Sequence, residues 1–224
     1  MPAGASQVIS RATTNALQHA LNVACLTMNN RPREASEQWH RLMVLASGAA
    51  GGALGLSALP IELPLSTVIM LRSIADIARS EGEDIRTPDT ALACIEVFAL
   101  GARRNAEEWP GSAYFAIKEV LARATAQAAG FIAEKGFVEE GAPVLVKFIA
   151  QVASRFGVVV TEKAAAQSIP VIGAAGGAAI NYAFIDHFQV MARGHFIVRR
   201  LEESYGTMHV REAYDRIRSD MFTT

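Results

Sequence analysis

Gly48-Ala49-Ala50-Gly51-Gly52-Ala53 and Gly173-Ala174-Ala175-Gly176-Gly177-Ala178 spell the same six residues, and each copy lies inside a run without a charged side chain. The first run extends from Leu42 to Ile61, between Arg41 and Glu62; the second fills the interval between Lys163 and Asp186. Both reach the length of a membrane-spanning helix. However, 12 of 20 residues in the first and 13 of 22 in the second are Gly, Ala, Ser or Pro, so they lack the Leu and Ile content that favours insertion. Gly48/Gly52 and Gly51/Gly55 are spaced by four, which lays a flat strip along one helical face where a second backbone can approach closely. Gly173, Gly176 and Gly177 form the corresponding strip in the second copy. Each glycine costs a helix about 1 kcal/mol relative to alanine, and close packing is the expected compensation. The fold expected is therefore all-α, a multi-helix bundle with the two glycine-rich helices packed centrally. Neither run has the lysine or the preceding strand of a phosphate-binding loop.

Outward from these runs the chain reads as helices separated by short breaks. Residues 6–28 carry a mild apolar stripe, Ile9, Ala16, Leu17, Ala20 and Leu21, expected to form a peripheral helix. Pro60 and Pro64 bracket Glu62, so a turn is expected there, with the next helix over Leu65 to Ser80. Gly82 closes that helix, and Thr87-Pro88-Asp89 caps another that runs to Leu100 and Gly101. The mixed charges and turn formers of Arg103 to Gly111 read as a linker. Beyond it come a helix to about Lys135, one from Pro143 ending near Gly157, and a long helix ending at Tyr205-Gly206. Val158-Val159-Val160 is the one stretch that resembles strand material, too short for a sheet. An amphipathic tail with Val210, Tyr214, Ile217 and Met221 is expected to dock on the body. The organisation expected is an N-terminal helical extension over 1–41, a helical domain over 42–205 and a C-terminal tail over 206–224.

Composition narrows the partners. Hydrophobic residues make up 51% of the 224 and charged ones 19%, which points to a large buried fraction or to a membrane. A net charge of -1 removes the electrostatic footprint of a nucleic-acid binder. Cys25 and Cys94 lie in apolar helical patterns, as reduced thiols of a cytoplasmic protein would, and the N-terminus lacks the continuous apolar core of a secretory signal.

The candidate polar cluster is Glu62, Arg72, Asp76, Asn181, Asp186, His187 and His195. Glu62 near a helix N-terminus is favoured by the dipole there, or is a buried functional acid. Arg72 stands four residues before Asp76, at pairing distance on a helix. His40 is expected on a helix surface, since no partner lies at helical spacing. His187 and His195 share a helical sector but lack the spacing of four found in zinc helices, so no metal and no cofactor are expected. Arg193, Arg199 and Arg200 are expected to be neutralised by Glu202 and Glu203 on their own helix.

Arg155-Phe156-Gly157, Glu162 to Gln167, Ile169-Pro170-Val171-Ile172-Gly173-Ala174, Asn181, and Asp186-His187-Phe188 through Gly194-His195-Phe196 to Glu202 resemble the EcsC protein family. Leu59-Pro60, Glu62, Arg72-Ser73-Ile74-Ala75 and Gly82-Glu83-Asp84 are similar to the N-terminal half of that family's signature. The likeness covers roughly Leu42 to Tyr205. It implies a bacterial helical protein, of a family named for a gene beside an ABC transporter and without an established activity. The reading that follows is a non-enzymatic accessory or interaction protein, cytoplasmic and peripheral to the inner membrane, with a membrane protein or lipid as partner and its oligomeric state left open. Two alternatives stay open: a soluble bundle enclosing an apolar or lipid ligand, and an enzyme in which Glu62, Asn181, His187 and His195 converge in a polar pocket.

Overall fold

Apolar residues at helical spacing along almost the whole chain leave few ways to bury them except helix against helix. The computed structural model describes residues 3–27, 38, 40–45, 59–102, 112–136, 142–167 and 173–222. Among these, eight helices and no strand occur: α1 (Ala3–Thr27), α2 (residues 40–45), α3 (Leu59–Ser80), α4 (Pro88–Leu100), α5 (Ser112–Lys135), α6 (Pro143–Gln167), α7 (Gly173–Tyr205) and α8 (Thr207–Phe222). The all-α bundle is the observed fold. Gly48, Gly51, Gly52 and Gly55 lie outside the described residues, as does the expected linker at residues 103–111. The second hexapeptide opens α7, with Gly177 buried.

The helix enclosed on every side is α4. Each residue from Thr90 to Leu100 is buried, as a helix apolar all round requires. α1, α3, α5, α6 and α7 all lie against it. Thr87 caps its first turn by accepting from the Thr90 amide, and Pro88 sits where its missing N–H would have no helical partner. At the centre Phe98, Phe156, Phe184 and Phe188 form a chain of rings, the Phe98 to Phe156 centroids 4.9 Å apart.

Three local expectations are corrected. α1 is not peripheral: Ala16, Leu17 and Ala20 are fully buried against α3 and α6. Alanines that read as weak anchors are what a close helix–helix approach needs. α3 starts at Leu59, so the Pro60 to Pro64 segment is helical. Pro60 falls in the first turn, and Pro64 forfeits a single amide bond there. α6 runs through Gly157 and Val158-Val159-Val160 to Gln167, because burying Phe156, Val159, Val160 and Ala164 outweighs the propensity cost of one glycine and three β-branched residues.

Among the described residues one helix, over Pro143–Ala166, is long and apolar enough to cross a membrane, with mean hydropathy 1.6. Only 39% of that stretch is buried within the fold.

Candidate functional site

Four groups from the borders of the two charge-free runs meet in one buried node. Lys163, the residue before the second run, donates from Nζ to Glu62 Oε1 at 2.8 Å. The Asn181 side-chain amide, within the second run, donates to the same oxygen at 2.8 Å and to the Val44 carbonyl, within the first, at 3.2 Å. Both charged side chains are almost wholly enclosed, Lys163 at 1% exposure and Glu62 at 5%. The Phe184 ring lies 5.0 Å from Nζ. The start of α3 favours this arrangement, since Glu62 stands in its first turn, where the helix dipole welcomes a negative charge. Burial pushes the lysine amine below its ordinary range, while Glu62 pulls it back up. Glu62 and Asn181 are candidates from sequence. Lys163 is not among those candidates; its signals in the sequence are its place as the charge that bounds the second run and its position within the Glu162 to Gln167 motif.

The remaining candidates lie elsewhere. Asp76 on α3 meets His40 Nε2 at 3.0 Å and Arg79 at 2.5 Å, in place of the expected Arg72, whose side chain is exposed. His40 is therefore corrected from surface residue to buried partner, 7% exposed. Its counter-charge is 36 positions away on another helix, out of reach of a search at helical spacing. Asp186 binds Arg41 at 2.6 Å, and Arg41 also donates to Gln189 Oε1 and stacks over Tyr182. Gln189 in turn donates to Ser73, so α2, α3 and α7 share one polar seam.

His187, near the middle of α7, and His195, two turns further on, meet other partners. The His187 Nε2 is 2.8 Å from the Gly101 carbonyl at the end of α4. His195 Nδ1 is 2.9 Å from the Tyr114 hydroxyl, in a site where both rings are buried. Gly101 is held open by this packing: a Cβ there would stand 2.5 Å from the Phe188 ring and 3.3 Å from His187 Nε2. Phe188 is fixed by Phe98, Phe156 and Phe184, so it has no room to yield. Gly101→Ala is expected to lower the unfolding free energy by about 1–3 kcal/mol, read by urea denaturation. An unchanged midpoint would show that the ring can move.

The basic residues of α7 are neutralised, but from outside their own helix. Arg199 reaches Glu83 at 2.7 Å and Asp89 at 2.8 Å; Arg200 reaches Glu81 at 2.6 Å. Glu202 pairs with Lys118 on α5 instead. The carboxylates of the α3–α4 connection thus hold the long helix, which corrects the expectation of pairing within α7.

Glu96 is a buried acid that the sequence reading passed over because it sits inside an apolar helix. Thr125 donates to it, and burial lifts its pKa from 4.5 to about 7 despite that bond. Between these values the unfolded chain has lost a proton that the folded chain keeps, so stability falls as pH rises from 4.5 to about 7 and levels off above. The loss is on the order of 3 kcal/mol. Glu96→Gln keeps an acceptor for Thr125 and, with His195 still favouring the higher pH, is expected to gain stability at pH 8 relative to pH 5 when compared with wild type in urea unfolding. A wild-type slope retained in the variant would assign the decline to other groups.

Among the described residues no three of His, Cys, Asp or Glu are grouped as a metal site. Cys94 is buried, with its thiol pushed up by desolvation. What the arrangement does chemically is hold charges in fixed pairs between helices. The model of the EcsC protein family matches residues 3–201, reaching further towards the N-terminus than the motifs quoted above. No curated protein and no solved structure matches the chain.

Proposed function

This chain belongs to the EcsC protein family, and we propose on that premise that it is a non-catalytic helical accessory protein that attaches to the inner membrane or to a membrane-embedded transporter component. The carrying observation is the scattering of its polar candidates. Glu62 with Asn181, Asp76, Asp186, His187 and His195 are engaged at separate places, each by a counter-group of the helical framework. Side chains spent on holding helices together support a scaffold more than a reaction centre.

Membrane attachment draws support from α6, the apolar helix with exposed Val146 and Val158 on its outer side. The family's association with a gene beside an ABC transporter supports the same partner class. Cell fractionation tests the reading: the protein is expected with the membranes, released by carbonate if peripheral and by detergent alone if inserted. Complete recovery in the soluble fraction without detergent would reject it. Native mass spectrometry of the soluble form would then show whether an apolar ligand is retained, the alternative that the small-residue helices support.

A further inference from the structure

We propose that two copies of this chain assemble by exchanging α8, with Gly206 as the hinge and the Leu100, Tyr114 and Phe115 cluster as the platform that receives the partner's helix.

α7 and α8 are separated by a single residue. Gly206 has φ 82°, in the left-handed region, and it alone interrupts the helix between a segment of 33 residues and one of 16. The hydrogen-bond ladder almost passes through it. The Gly206 amide donates to the Glu202 carbonyl at 2.9 Å, and its own carbonyl accepts from Val210 at 3.3 Å. If Gly206 took helical φ, the amides of residues 207–209 would find the carbonyls of residues 203–205, and α7 and α8 would become one rod about 75 Å long. α8 would then leave its own body entirely.

What it would leave is a small apolar cluster separate from the main core. Tyr214 stacks on Tyr114 with centroids 6.1 Å apart and meets the Phe115 ring edge-on at 5.3 Å, while Arg211 lies over Phe115 at 5.6 Å. Among the described residues 207–220 of α8 only Val210 is buried, and Met208 and Ile217 are exposed. Tyr214 and Arg211 thus meet an aromatic contact region that a second copy also carries. In an exchanged pair each platform is refilled by the other chain's Tyr214, no apolar surface is lost, and the freed amides of both hinges are paired. One-residue hinges between long helices are where such exchange is inexpensive.

Gly206 offers a clean test because a Cβ there meets nothing within 4 Å, so alanine changes only the backbone preference. Gly206→Ala disfavours the left-handed hinge by about tenfold. With two hinges per pair, dimerisation is expected to tighten by about a hundredfold, read by sedimentation equilibrium across a concentration series. Gly206→Asn, which tolerates positive φ, is expected to stay near wild type. Adding Tyr214→Ala to Gly206→Ala is expected to return the protein to monomer with its main core intact. A monomeric Gly206→Ala, or a dimer that survives loss of Tyr214, would overturn the proposal.

Discussion

Glu62→Ala is expected to lower the unfolding free energy by about 3–5 kcal/mol, among the largest single effects in the molecule. The reason is the state in which it leaves Lys163. The ammonium loses its partner at 2.8 Å while it remains enclosed, and the Asn181 amide loses an acceptor in the same step. A lysine in that position either keeps an uncompensated charge in a poorly polarisable interior or gives up its proton, and both are costly. The pair itself need not be strongly stabilising, because desolvating two ions consumes most of their attraction. Glu62→Leu combined with Lys163→Met should accordingly recover part of the loss, leaving about 1–3 kcal/mol for the Asn181 bond to Glu62 that both variants give up. Equilibrium urea unfolding of the single and the double variant measures the difference. Equal losses in both would mean that the node contributes through its ion pair rather than through the cost of breaking it.

That node also marks how far the sequence could be read. Val44, Glu62, Lys163 and Asn181 belong to or adjoin the two charge-free runs and meet there, while the first glycine strip, and with it the expected contact between the two strips, lies outside the described residues. Helix type was legible because the apolar spacing is helical nearly everywhere, and the ends at Gly82, Gly101 and Gly206 were legible because a helix stop has a local chemical cause. Pairings were not. His40 with Asp76, Arg199 with Glu83 and Lys118 with Glu202 join residues 36, 116 and 84 positions apart, and nothing in the spacing of one helix reports which neighbour it will face. The role of α4 as the enclosed centre was underestimated for a related reason. A short helix with no polar face draws less notice than a repeated glycine motif, although its burial on all sides follows from the same hydrophobic argument.

Acidification below pH 4.5, where Glu96 is protonated in folded and unfolded chains alike and no longer offsets the histidine, is expected to destabilise the protein through His195. Its ring is fully buried, and desolvation, with Arg199 and Lys118 adding positive charge nearby, holds its pKa at about 3 against an ordinary 6.5. Above pH 6.5 the imidazole is neutral in folded and unfolded chains alike, so the contribution of this group is complete there. As pH falls below 6.5 the unfolded chain takes up a proton that the folded chain refuses, and stability is lost progressively down to about pH 3. The shift corresponds to roughly 5 kcal/mol at the acid limit and about 3 kcal/mol by pH 4.5. Glu83 and Asp89 hold Arg199, and Glu202 holds Lys118, so protonating those carboxylates would uncover more positive charge beside the ring and steepen the decline. Tyr114 offers no relief. Burial keeps its hydroxyl protonated, and an imidazolium would turn both ring nitrogens into donors, leaving Nε2, which has no hydrogen-bond partner among the described residues, as a buried unpaired N–H. His195→Gln retains a neutral group able to bond Tyr114 and is expected to cost stability at pH 7.5 yet to lose less than wild type between pH 7.5 and pH 4.5. Parallel pH profiles for the two proteins would show that the acid limb belongs to the carboxylate pairs alone.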